Sequence, residues 1–454
     1  MSITHKDEQD RQTVATAEST NVVKPVNLGR RARLALLLGS LSAFGALTID
    51  MYLPAMPSMA HQLHTSAPLV QMTLTAFVVG LALFQVIVGP LSDAWGRRRP
   101  LLAGIALYLA GSLWCALAPT VGHLIAGRIL QSLGAAAGAV LARAIVRDLF
   151  SGTAMTRFFS TLMVVNGVAP VVAPVIGGHL LTFTTWRAVF LVLAAVGAVL
   201  LLAVVFALPE SLPDAKRAPA HLRPTLRTFR TLVTDLHYLR YVLAAALMFA
   251  AVFAYISGSS FVLQDGYGLT AQQFSLVFGL NGLGIVLLGQ VSGWLVGRAA
   301  DEHTLLRVSL TVATLGSAGV LTCAVLGLPL PLLLTCLFVV VSMLGIVLAN
   351  ATSLALSGHG SAAGTASSLQ GLLQFLVGGC AASAMSLPGQ VTAVAMGTTM
   401  TICAAAALAV LHARRTWNTC SEREINRIID ERMANPAPGI PIEDIMRETR
   451  ARSE

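Results

Sequence analysis

Within the stretch ALTIDMYLPAMP, residues 46–57, one acid interrupts an otherwise apolar run: Asp50. A carboxylate near the middle of a membrane span costs about 2.5–3.5 kcal/mol on insertion scales, so it calls for a use. Two uses are open to it. It can hydrogen-bond locally beside the kink that Pro54 and Pro57 impose. It can also take up and release a proton, because burial penalises the charged form of a carboxyl. Every other acid lies in a tail, a loop or at a helix end, Asp265 among them, and that isolation favours proton chemistry.

Three further groups stand out. In AGRILQSLGAAAG, Arg128 and Gln131 are one helical turn apart and precede a run of small residues. An intramembrane arginine is costly against lipid and belongs in a cavity, unless its side chain snorkels to the outer surface about two turns away. In APVVAPVIGG, residues 169–178, the prolines Pro170 and Pro174 and the small residues Gly177 and Gly178 produce a bend and a close helix contact. In GPLSDAWGRRRP, residues 89–100, the glycines Gly89 and Gly96 allow a tight turn, and Asp93 can meet the positive end of a neighbouring helix. Arg97 and Arg98 follow. Tyr52, Tyr255, Phe261, Gln264, Gln370 and Gln374 are polar or aromatic candidates for a cavity wall.

The elements that must position these groups are membrane helices. The 454 residues are 55% hydrophobic and only 11% charged, where a soluble protein carries about 25% charge. Mean hydropathy is +0.74. Apolar runs fall at 34–57, 69–91, 101–118, 123–146, 158–182, 187–208, 241–264, 272–297, 304–326, 330–356, 361–387 and 391–412, each near the ~20 residues a span needs. The expected fold is an all-α membrane protein of twelve transmembrane helices in two six-helix bundles, 34–208 and 241–413. A central loop, 209–240, joins them; a disordered N-terminus, 1–33, and a charged tail, 414–454, flank them. Arginines and lysines gather in alternate loops, which places both termini in the cytoplasm. The second half carries a faint echo of the first: GQVSGWLVGR at 289–298 repeats the frame of GPLSDAWGRR at 89–98, with Gly293 in place of Asp93.

On Gly89, Asp93, Gly96, Arg97 and Arg98 the chain resembles the major facilitator superfamily, whose signature after its second helix is Gly-x-x-x-Asp-x-x-Gly-Arg-Arg/Lys. The resemblance implies a gate in which Asp93 meets helix eleven, beginning near SAAGTASS at 361–368, and the loop arginine meets an acid at the inner end of helix four. Asp148 in ARAIVRDLF fits that acid, opposite Arg97, with Arg143 assigned to the same network. Pro174, Gly177 and Gly178 match the superfamily's antiporter motif, with Ala169 and Ala173 where glycine is usual. A helix-four arginine lines the cavity in that family, which favours the cavity reading of Arg128. IDMYLPAMP, ARAIVRDLF, WRAVF and YISGSSFVLQ together resemble Bcr/CflA-type drug-resistance transporters across 34–412. That likeness implies proton-coupled efflux of small neutral or monocationic, chloramphenicol- or bicyclomycin-like drugs from a bacterial inner membrane, by a monomer.

Other classes are disfavoured by composition and motif. The net charge of +9 is spread as topogenic signals and does not suggest nucleic acid. The six cysteines show no metal-site spacing, and no metal or other cofactor is expected. An ATP-driven pump needs a Gly-Lys-Ser/Thr loop, and the chain has no Gly-Lys dipeptide. A membrane-embedded enzyme lacks a nucleophile–base cluster in the spans, and one acid with one arginine makes no channel ring. A metabolite exporter with the same machinery is the remaining alternative.

Overall fold

A backbone in hydrocarbon has no water to bond, so each apolar run must close its hydrogen bonds within itself as helix. The computed structural model describes residues 28–150, 152–214, 217, 222–357, 363–385 and 390–412. Twelve of its helices are long and apolar enough to cross a membrane. In chain order helices one to six span Leu34–Gln62, Ala67–Trp95, Arg98–Ala116, Val121–Leu149, Thr161–Leu180 and Trp186–Ala207. Helices seven to twelve span Leu236–Gly266, Ala271–Leu295, Glu302–Leu326, Leu330–Leu356, Gly364–Met385 and Ala393–His412.

The packing shows the repeat more clearly than the residues do. In the first bundle, helix one packs on four and five, two on four, and three on four and six. In the second, seven packs on ten, eleven and twelve, eight on ten, and nine on ten and twelve. Adding six to each number of the first set gives the second, apart from the close packing of seven on twelve, which helices one and six repeat only weakly. Between the bundles, helix two lies along eleven and helix five along eight. With lipid as solvent, close approach comes from small side chains. A Cβ on Gly111 of helix three would stand 2.6 Å from the Gln131 nitrogen and 2.9 Å from the Gly127 carbonyl of helix four.

Three boundaries differ from the sequence reading. Helical backbone begins at Leu28, not after residue 33, because arginine is a good helix former and the helix outruns its apolar core. The central loop holds an amphipathic helix, Leu222–Thr234, with Phe229 and Leu232 buried, and helix seven starts already at Leu236. Helix one breaks after Asp50 into a 3-10 turn, Leu53–Ala55, and resumes at Met56. Residues 1–27, the loop before helix eleven and the charged tail lie outside the described residues.

Candidate functional site

The break in helix one follows from its two prolines. Pro54 has no N–H for the Asp50 carbonyl four residues back, and Pro57 has none for Leu53. Asp50 is therefore the last residue before the turn. It is 5% exposed, the one buried acid among the described residues. No cation of the described residues lies within the 4.0 Å of an ion pair, and no hydrogen bond to its carboxyl is found among them. Its side chain is within electrostatic range of the Tyr255 phenol on helix seven. Tyr255, also buried, accepts a hydrogen bond from Asn281 Nδ2 at 2.8 Å and stacks on Phe278. Asn281 escaped the sequence reading, since a single polar residue in an apolar helix has many bland uses.

Arg128 does not snorkel. It is fully buried, and its guanidinium lies 4.4 Å from the Tyr52 ring centre and 4.3 Å from that of Phe77. One terminal nitrogen donates to the Thr48 carbonyl at 3.2 Å and to Gln131 Oε1 at 2.8 Å. Nε and the other terminal nitrogen find no hydrogen-bond partner among the described residues. Gln131 passes the chain on to Ser112 Oγ at 2.8 Å. Tyr52 Oη and Thr73 Oγ1 are 3.4 Å apart, and Thr48 Oγ1 lies 2.6 Å from Tyr108 Oη. Two faces of π density replace a counter-ion here, each such contact being worth about 2 kcal/mol when desolvated. Thr48, two residues before Asp50, ties the arginine to the same segment. Arg128, Gln131 and Tyr52 thus form one cluster, while Asp50, two residues beyond Thr48, lies within electrostatic range of Tyr255 on helix seven.

The remaining cavity candidates separate. Gln264 sits at the end of helix seven and donates to the Pro54 carbonyl at 3.1 Å. Gln370, buried on helix eleven, donates to Thr352 Oγ1 at 2.6 Å, with its own Oε1 unpartnered among the described residues. Gln374 lies one turn further on and is half-buried. Phe261 lines a different space, a cavity of about 520 Å³ walled by Pro68, Asp265, Tyr267 and Val391 at the same end as Gln264.

Helix five supplies the other contact to the broken segment. A Cβ on Gly177 would overlap the Met51 carbonyl, and one on Gly178 would overlap Ser275 Oγ of helix eight. Gln272 Nε2 donates to the Gly178 carbonyl at 3.3 Å. Pro170 and Pro174 lie within this helix, and the Pro170 carbonyl faces Gly282. The small residues therefore let helix five touch both bundles at once.

At the arginine-rich end lies a charge network. Arg97 is 8% exposed; its Nε donates to Asp148 Oδ2 at 2.9 Å, and a terminal nitrogen donates to Asp93 at 2.5 Å and to Ser92 Oγ at 2.7 Å. Partial burial opposes the Arg97 charge, but the bonds to Asp148 and Asp93 outweigh it and raise its pKa. Gly96 turns the chain at φ +83°, while Gly89 has open space at its Cβ position. Arg98 donates to the Val205 carbonyl. Glu210, which the sequence reading missed, accepts from the backbone N–H groups of Arg97, Arg98, Ser211 and Leu212. Asp93 makes its bond to Arg97; the start of helix eleven, its expected partner, lies partly outside the described residues, which resume at 363. One expectation fails. Arg143 is exposed and makes no bond to Asp148 among the described residues. Five residues apart on a helix, the two point about 140° away from each other. Asp148 Oδ2 is already committed to Arg97 and Ser211.

Comparison with known proteins agrees with this architecture. The family model described as Major Facilitator Superfamily matches residues 36–383. An uncharacterized MFS-type transporter of Bacillus subtilis, YdgK, is 43% identical over 82% of this chain and 93% of its own length. A bicyclomycin resistance protein homolog of Haemophilus influenzae is 33% identical over 81% of this chain and 92% of its own. Among solved structures, a POT peptide transporter with sulfate covers 84% of this chain and 94% of its own at TM-score 0.68 and 16% identity, a likeness of fold.

Proposed function

Because the chain belongs to the Major Facilitator Superfamily, as a multi-pass membrane transporter of the drug-resistance type, we propose that it exports drugs in exchange for protons by alternating access. One observation carries the coupling: a single buried acid without a partner among the described residues, at the break of helix one and within electrostatic range of Tyr255 in the other bundle. A carboxyl so placed can be charged in one state and neutral in the other without disrupting a salt bridge. Arg128, bonded to the carbonyl of Thr48 two residues before Asp50, supplies a fixed positive charge and two nitrogens without a hydrogen-bond partner among the described residues to the same helix segment. In this reading the arginine-rich end faces the cytoplasm of a bacterial inner membrane, and the opposite end, where the bundles are joined, faces outwards. The cargo class is small neutral or monocationic drugs like bicyclomycin or chloramphenicol, handled by a monomer.

The direct test is Asp50→Asn. Drug-induced proton release from the detergent-purified protein should disappear and uphill efflux should be lost, while the protein remains folded; undiminished release would sink the assignment. With a single buried carboxyl among the described residues, the simplest cycle exchanges one proton per drug. A neutral drug leaving against one proton then moves one charge inwards and draws on about 2.3 kcal/mol per 100 mV of potential. In proteoliposomes with the potential clamped by potassium and valinomycin, neutral-drug flux should follow the potential. A dication should be a poor substrate.

A further inference from the structure

The proline break leaves helix one with carbonyls that its own backbone cannot fully serve. Pro57 offers no N–H to Leu53 or to Pro54. The Leu53 carbonyl takes a short 3-10 bond from the Met56 N–H, and its second lone pair takes the Ser260 hydroxyl at 2.6 Å. The Pro54 carbonyl takes Gln264 Nε2 at 3.1 Å. The other Gln264 N–H meets Ser260 Oγ at 2.8 Å, so the two side chains act as one donor unit. Both stand on helix seven, in the other bundle. The end of that helix is wound as a π-turn, Phe261–Gly266, which carries Gln264 within its widened coil. Ser260 is fully buried and Asp50 lies three residues before Leu53.

We infer that Ser260 and Gln264 are a latch that closes the transporter at the end opposite the arginines, by holding the proline-freed carbonyls of Leu53 and Pro54. They are positioning residues: they fix the broken segment, and with it Asp50, against helix seven, and they must let go for that end to open. The inference rests on the alternating-access reading but not on Asp50 carrying the proton. Neutral hydrogen bonds suit the task. Each contributes about a factor of 2–10 to an equilibrium, so two bias the closed state by about 4- to 100-fold without locking it. Pro57 belongs to the device because an alanine there would return an N–H to the Leu53 carbonyl and compete with Ser260.

The test uses the full chain in lipid nanodiscs, without drug, followed by amide hydrogen–deuterium exchange. The variants are the pair Ser260→Ala with Gln264→Leu, and separately Pro57→Ala, which leaves helix seven untouched. Opening of the latched end should speed exchange there at least threefold, in peptides covering 46–63 and 255–268. The swing of the bundles should slow exchange at the other end, around Trp95–Arg99. A merely structural loss would speed exchange near the substitution and leave the arginine-rich end unchanged, and that result in both variants would overturn the latch. Transport is assayed separately on wild-type proteoliposomes. A reciprocal exchange change with no wild-type drug export would preserve the latch and remove the export reading.

Discussion

The two ends of the molecule are held by different chemistry. At the arginine-rich end, Asp93, Arg97, Asp148 and Glu210 form charge-assisted bonds, and all of them belong to the first bundle or to the loop that directly follows it. At the opposite end, Gln71 donates to the Ser257 carbonyl, Ser260 to Leu53, Gln264 to Pro54 and Gln272 to Gly178, and each of these bonds is neutral and crosses between bundles. Charge-assisted bonds are roughly twice as strong as neutral ones. Strong bonds therefore stiffen one bundle as a body, while weak ones join two bodies that must separate. A transporter needs that division of labour, since a rigid lobe transmits a rocking motion and a soft seam permits it.

The largest effect expected from breaking the contrast is at the soft end, by steric means. In Gly177→Val the new side chain overlaps the Met51 carbonyl, which is backbone and cannot rotate away. Helix five must move off the broken segment of helix one. Overpacking of this kind costs about 1–3 kcal/mol. Because the displaced segment adjoins Asp50, transport should fall more than tenfold even where the protein still folds. Drug efflux per folded molecule, with thermal unfolding in parallel, separates the two consequences. Efflux preserved within twofold would show that the close approach of helices five and one is not needed.

The stiff end yields a smaller, reversible effect. Arg97→Asp places a third acid beside Asp93 and Asp148 and removes the donor they share. A stability loss of about 1–2 kcal/mol follows, since Asp93 is half in solvent and the network is partly screened. Asp148→Arg in the same chain should recover part of it, with an interaction energy of about 1 kcal/mol or more across the double-mutant cycle. A double variant no more stable than the worse single one would show that the pair is incidental to the network.

These two ends were unequally legible in the sequence. The Gly89 to Arg98 motif was legible through its resemblance to the superfamily signature, and Arg97 meets Asp148 as that resemblance implied. Asp50 was visible because a charge in hydrocarbon is conspicuous. The latch was not. Ser260 and Gln264 are ordinary polar residues, and their partners are backbone carbonyls that leave no trace in residue type. Only Pro54 and Pro57 marked where free acceptors would arise. Arg143 misled for the opposite reason: proximity in sequence to Asp148 implied a bond that the helical phase forbids. Glu210 was missed because its ligands are the N–H groups of Arg97 and Arg98, which any residues would have supplied.

The smallest expected effect sharpens the contrast through pH. Glu210 sits mostly in solvent, and burial acts to raise its pKa, but four backbone N–H bonds outweigh that and hold it below the usual carboxylate range. A depressed folded-state pKa contributes stability that is complete above the unfolded value of about 4.3 and is lost as pH falls through the folded one. Solvent screening limits that contribution to about 0.5–1 kcal/mol. Glu210→Gln keeps one acceptor oxygen and removes the charge, so it should lower Tm by only about 1–3 °C at pH 7. The gap between wild type and variant should close in melts taken progressively below pH 4, as the wild-type carboxyl takes up its proton. A gap unchanged at low pH would mean that Glu210 acts by shape rather than charge, and the stiff end would then owe less to electrostatics than its bonds imply.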